Sequence, residues 1–237
     1  MATASKGLFG SSLARKYWMA ATGLFLCTFL LGHLLGNLQL VLKSGVEGQQ
    51  AFNEYAYFMT HNPAIKLLSY VTYASILLHA IDGVVLTRQN RAARPEQYAY
   101  NKPGENSSWS SRSMALLGVI TLVFIVTHMK QFWAEMHWGE LAQLPHTTKM
   151  VNGEALLIND LYTLTVSAFH NLTYVLLYVV AMLALAFHLV HGVQSAFQSV
   201  GVNHDKYTPI IKNVGVVYAV LVPLAFAVIP VFLYLTK

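Results

Sequence analysis

One cysteine, Cys27, is the whole thiol inventory of this chain. That excludes an internal disulfide, and it excludes an iron–sulfur cluster held by the chain's own thiolates. A small core residue is the expected role of Cys27. No glycine-rich dinucleotide fingerprint occurs, so nothing here is built to hold flavin or nicotinamide by that motif. No internal repeat and no low-complexity tail is present. Charge is the scarcest commodity: 11% of the 237 residues are Asp, Glu, Lys or Arg, against about a quarter in an ordinary soluble domain.

What charge there is lies in clusters, and long uncharged runs separate them. Residues 17–42, 113–129, 161–204 and 213–236 carry none, and 67–87 carry only Asp82. A helix needs about 20 apolar residues to cross the hydrocarbon core. The expectation is an all-α integral membrane protein with five transmembrane helices, roughly 15–42, 63–90, 112–138, 161–199 and 206–236. They form one domain over 1–237, in which helices 1–4 make the bundle. The first run is too long for a cleaved signal peptide and lacks its small-residue site. The fourth is longer than one crossing needs, so it should project or tilt. Gly201 and Asn203 are its stop signals, Pro209 opens the last helix, and Pro223 and Pro230 should bend it.

Lysine and arginine divide unequally between the two sides. Lys6, Arg15, Lys16, Arg88, Arg91, Arg94, Lys102, Arg112, Lys206 and Lys212 fall on one; Lys43, Lys66, Lys130, Lys149 and Lys237 fall on the other. The positive-inside rule then puts the N-terminus in the cytoplasm and the C-terminus outside. The basic balance, pI near 9.2, fits loops against an anionic leaflet and calls for no nucleic acid.

Four of the runs each contain a histidine about two-thirds of the way along: His33, His79, His128 and His191. Imidazoles are rare in membrane spans and seldom idle there. Four of them facing one bundle interior suit two metals with two axial ligands each, as in a cytochrome with two b-type haems. The alternating direction of the spans sorts them. His33 and His128 fall in the outer half and His79 and His191 in the inner half, with the layers on the order of 12 Å apart by helical rise. Gly32 and Gly36 around His33, Gly83 after His79 and Gly192 after His191 are the right size for a passing macrocycle, or for plain helix packing. His188, one turn before His191, is a competing ligand or a neighbour with a proton-handling role. His170 lies near the outer end. His61, His137, His146 and His204 belong to loops or helix ends. Arg15, Lys16 and Arg112 stand at inner helix ends, where they could meet haem propionates or simply anchor the chain. Asp82, one turn from His79, should be paired or near the inner surface.

The runs KYWMAATGLFLCTFLLGHLLGN, LLHAIDGVVLTRQN, VTHMKQFW and HLVHGVQSAFQSVG together resemble the cytochrome b membrane anchor of succinate:quinone oxidoreductases and fumarate reductases, in its single-chain, five-helix, di-haem form. The resemblance spans nearly the whole chain. It implies a complex II subunit, serving the tricarboxylic acid cycle or fumarate respiration in a prokaryotic cytoplasmic membrane, with two haem b groups and a quinone, often menaquinone, as substrate. It also implies flavoprotein and iron–sulfur partner subunits on the cytoplasmic side, where the dicarboxylate reacts. By the same resemblance His79 and His191 hold the proximal haem, and His33 and His128 the distal one. Glu54, in the loop after helix 1, matches a carboxylate that protonates quinone in relatives; Glu47 is its rival, and a solvated loop glutamate is the plainer alternative. Leu189 stands where some relatives carry a glutamate, so a transmembrane proton route through that position is not expected. Two other classes share some of these features. A di-haem anchor of a hydrogenase or formate dehydrogenase would differ in its partner subunits. A histidine-dependent transporter would lack haem.

Overall fold

The computed structural model describes residues 11–43, 45–93, 102–139, 147–151, 154–202 and 204–236. Lys6, Arg94, His146, Asn203 and Lys237 lie outside the described residues. Five helices are long and apolar enough to cross a membrane: Ser12–Leu42, Pro63–Ala92, Met114–Trp138, Leu172–Ser199 and Thr208–Leu235.

Local chemistry sets the ends of these helices. The Ser11 side chain accepts from the Ala14 N–H and opens α1 (Ser12–Asn37), which runs on through the short α2 (Gln39–Leu42). The Asn62 side chain caps α4 (Pro63–Ala92), with Pro63 in the first turn, where its missing N–H costs nothing. Two single turns, α5 (Pro103–Asn106) and α6 (Trp109–Arg112), lead into α7 (Met114–His128). A π-helical turn (Met129–Ala134) follows and joins α7 to α8 (Glu135–Trp138). After α10 (Leu172–Ser199), Gly201 takes φ +82°, a left-handed stop that suits glycine. The last helix is α11 (Thr208–Leu235), with Pro209 in its first turn and Pro223 and Pro230 inside and fully buried.

Two segments differ from the sequence expectation. The fourth run is not one helix over 161–199. It breaks at His170 and Asn171 into α9 (Leu161–Phe169) and α10, and the Asn171 side chain caps the second piece by accepting from the Thr173 N–H. The break accounts for the excess length. The segment after the first span is not a loop but a helix, α3 (Gly45–His61), whose inward face is Gly48, Phe52, Asn53 and Ala56. Those residues recur at helical spacing, yet Gln49, Gln50, Asn53 and Glu54 keep the segment too polar to read as a span. An antiparallel hairpin, β1 (Thr147–Val151) with β2 (Glu154–Ile158), lies beside α3.

Four spans close a square: α1 packs on α4, α4 on α7, α7 on α10, and α10 back on α1. The fifth, α11, packs along the outside against α10 and α1, and the Tyr218 hydroxyl donates to the Cys27 carbonyl at 2.7 Å. Asn53, with no exposed surface, ties α3 to α9. Its Nδ2 donates to Asp160 Oδ1 at 2.7 Å, and its Oδ1 accepts from the Tyr162 N–H at 2.8 Å. Gln49 Nε2 donates to Asp160 Oδ2 at 2.6 Å. Burial alone would raise the Asp160 carboxyl, but donors from Thr163, Asn53 and Gln49 outweigh it and hold the group below its ordinary value.

Because the folded Asp160 titrates below its unfolded counterpart, its stabilisation is complete above about pH 4 and is lost as pH falls through the lower folded value. Hydrogen exchange on α3 should therefore accelerate at acid pH before the spans open. In Asp160→Ala or Asn53→Ala the acceleration is present already at neutral pH, with a loss of about 1–3 kcal/mol from the stranded partner. Unchanged α3 protection in both variants would contradict this.

Candidate functional site

Across each diagonal of the square two imidazoles meet. His33 on α1 and His128 on α7 have ring centroids 5.8 Å apart, with planes at 81°. His79 on α4 and His188 on α10 are 6.2 Å apart, at 65°. The two pairs sit at different depths. Tyr178 touches His128 and His188 touches His79; ten residues of α10 separate these contacts, about 15 Å of helical rise.

His33 and His128 are brought together. His79 faces His188, not His191. The reason is helical: residues three apart share a face but not a direction, and the one reaching across the diagonal is His188. His191 is half-buried one turn further on.

Hydrogen bonds engage Nδ1 of two of the four rings. The Thr22 hydroxyl donates to the Trp18 carbonyl at 2.7 Å, so its oxygen accepts from His79 Nδ1 at 3.2 Å. The Tyr178 hydroxyl donates to Gln131 Oε1 at 2.9 Å, so its oxygen accepts from His128 Nδ1 at 3.1 Å. With Nδ1 donating in both rings, Nε2 would keep the lone pair a metal ligand needs. Asn37 Nδ2 donates to the His33 carbonyl at 2.8 Å. His188 Nδ1 is buried without a hydrogen-bond partner among the described residues.

The surroundings of the two pairs differ. Phe29 stacks on His33 at 5.4 Å, Phe226 of α11 approaches it at 5.6 Å, and Phe124 and Phe132 flank His128. The other pair is bordered by glycines that sequence reading did not single out. A Cβ on Gly23 would stand 3.2 Å from the His79 ring, and one on Gly118 would stand 3.7 Å from the His188 ring. Of the glycines that were singled out, Gly32 and Gly192 face open space and Gly83 meets only Met19. Gly36 seats Tyr55 of α3, whose hydroxyl would be 2.5 Å from an added Cβ.

The residues proposed for propionates separate clearly. Arg15 Nη1 bonds Asp82 Oδ1 at 2.7 Å, and its Nε is buried without a partner among the described residues. Arg112 turns back onto Ser107 and is exposed. Lys16 is exposed. Glu54 stands on α3, half-buried, where its Oε1 accepts from Gln50 Nε2 at 2.6 Å; the same Nε2 donates to the Thr148 carbonyl of β1 at 2.9 Å. Glu47 is exposed. His61 and His137 cap their own helices through the Tyr57 and Trp133 carbonyls.

No protein-family model, curated protein or solved structure matches this chain. Two facing pairs of imidazoles are a donor set of the kind that suits metal groups with two imidazole ligands each. Bonds of about 2 Å put two axial ring centres about 6 Å apart, close to both measured separations. Two rings are hydrogen-bonded through Nδ1, and the buried atoms without partners among the described residues, His188 Nδ1 and Arg15 Nε, belong to the His79 end. Thr22 and Tyr178 carried one legible signal, being polar side chains inside otherwise apolar runs; Gln131, next to Lys130, carried none.

The Arg15–Asp82 pair is half-shielded, so removing one partner strands the other. Arg15→Leu and Asp82→Leu should each cost about 1–3 kcal/mol in detergent unfolding, and the double variant less than either. Additive losses would show that the pair is not coupled.

Proposed function

We propose that this chain is the di-haem cytochrome b anchor of a succinate:quinone oxidoreductase or fumarate reductase. It would carry electrons between an iron–sulfur partner and a membrane quinone. The observation that carries the reading is the pair of imidazoles across each diagonal of the four-span square, at two depths. A transporter's proton path has no need of such matched pairs.

Bound haem would supply the one-electron redox chemistry. His33 and His128 would hold one haem, and His79 and His188 the other, with His191 a neighbour. Gly23 and Gly118 let the His79 and His188 rings lie close against α1 and α7. Arg15, its Nη1 oriented by Asp82, has Nε to offer a propionate at the inner end; Lys16 and Arg112 serve the membrane surface. The N-terminus is cytoplasmic on this reading, and flavoprotein and iron–sulfur subunits dock on that side.

Glu54 is the candidate proton donor and acceptor for a quinone, menaquinone being the expected type. Support comes from position. Its neighbour Tyr55 rests on Gly36, one turn past His33, so α3 is docked beside the His33–His128 layer. Quinone reduction takes up two protons, and a half-buried carboxylate such as Glu54 can relay them.

The test is a pyridine haemochrome assay with a reduced-minus-oxidised spectrum on the purified protein. Wild type should carry two haem b per chain. His33→Ala and His128→Ala should lose one, His79→Ala and His188→Ala the other, and His191→Ala neither. Wild type without haem would sink the reading in favour of histidine-dependent transport. Copurifying nickel or molybdenum subunits, in place of a flavoprotein with succinate activity, would assign the anchor to a hydrogenase or formate dehydrogenase.

A separate expectation concerns Glu54→Gln. Quinone-linked turnover should fall by about 100-fold or more, the scale of a lost general acid–base, while haem content stays at two. Full turnover would remove Glu54 from the proton path.

A further inference from the structure

We propose that Tyr178 and Gln131 are positioning residues that set the basicity of the His128 imidazole, and through it the redox potential of the metal group His128 would hold. This rests on the di-haem reading.

The geometry is a three-member chain in an apolar place. Tyr178 is 6% exposed, and aromatic rings of Phe124, Phe132 and Phe169 surround its own. A buried hydroxyl in such a cluster is costly unless hydrogen-bonded. Here the phenol has two bonds and both have a sense. Its proton goes to Gln131 Oε1, and its oxygen accepts from His128 Nδ1. Gln131 lies only three residues after His128, inside the π-helical turn Met129–Ala134. A π turn interrupts the regular α ladder and is frequent at functional sites. This one directly follows the histidine and carries the side chain that orients the phenol.

The electronic consequence follows from the direction of the bonds. An acceptor on Nδ1–H makes the imidazole a stronger donor through Nε2. That favours the oxidised metal and lowers its potential. Gln131 reinforces the effect, because a phenol that donates is a better acceptor. The His79 ring has a different device. Its acceptor is the Thr22 hydroxyl, whose own proton ends on the Trp18 backbone carbonyl. The two layers are thus tuned by separate residues on separate spans.

The experiment is a potentiometric titration of the purified di-haem protein, with each haem identified by its loss in His128→Ala or His79→Ala. Tyr178→Phe should raise the potential of the His128 haem and leave the other unchanged. Gln131→Glu, a stronger acceptor for the phenol, should lower the same haem. Thr22→Val should raise only the His79 haem. Opposite shifts of one haem in Tyr178→Phe and Gln131→Glu are not what a packing role would give. Unchanged potentials, or equal shifts of both haems, would overturn the proposal with the di-haem reading intact. If Tyr178→Phe loses its haem, Gln131→Glu decides, and an unmoved potential there counts against it. Wild type without haem is a distinct result that removes the reading itself.

Discussion

A polar side chain inside hydrocarbon has no water to turn to, and leaving it unpaired costs several kcal/mol. The bundle is arranged around that constraint. Nearly every polar side chain that points inward from a span finds its partner on another span or on its own backbone. Arg15 meets Asp82 and Thr22 meets His79, both joining α1 to α4. Tyr178 joins α10 to His128 on α7 and Gln131 in the turn beyond it. Tyr218 joins α11 to the α1 backbone. Each contact both satisfies a group and fixes the register of two helices, so the positions of the His79 and His128 rings are consequences of these pairings.

The square has a further property. Spans on a diagonal do not pack closely, so the space between them must be filled by side chains. In one layer aromatic rings fill it around His33 and His128. In the other, Gly23 and Gly118 withhold side chains from the same space around His79 and His188. The first layer is walled by aromatic rings, and in the second the imidazoles lie against glycine backbones. On the di-haem reading this difference, together with the separate acceptors on Nδ1, makes the two metal sites electronically unequal. Inequality gives direction to electron transfer between layers about 15 Å apart by helical rise along α10.

The sequence made the five spans legible, because twenty uncharged residues in a row have few other uses. It also made His33, His79 and His128 legible, because an intramembrane imidazole is rare. It did not separate His188 from His191. Both lie on one side of α10, and which of them crosses the diagonal depends on how α10 is rotated against α4. That rotation is set by long-range packing that spacing along one helix does not contain. The break at His170–Asn171 was hidden for a different reason. Asn171 caps a helix with a side chain that is equally compatible with continuing one, and the flanking residues are apolar on both sides. α3 was hidden because its buried face is partly polar: Asn53 is fully buried, but its partner Asp160 is over a hundred residues away. The contacts of the glycines were hidden for the same reason. Gly36 serves Tyr55, from a helix the sequence had not revealed, while Gly23, lying outside the histidine motifs, is the one against His79.

The contact of Gly36 with Tyr55 links α3 to the interior of the bundle. Gly36 is one turn beyond His33, and no residue larger than glycine fits there without moving Tyr55. Docking of α3 is therefore felt directly at the end of α1 that carries His33. The other side of α3 is held by Asp160 through Asn53 and Gln49, and Glu54 is held through Gln50 to the hairpin carbonyl of Thr148. Glu54 thus sits on an element fastened on both sides, one residue from the tyrosine that touches the His33 helix. A carboxylate that exchanges protons with a bound quinone must keep its distance from the electron donor through each turnover, and an unstructured loop would not hold it there. The helix, its buried amide and its capped carboxylate supply that rigidity, which is the physical reason Glu54 is a better candidate than Glu47, exposed in the first turn of the same helix.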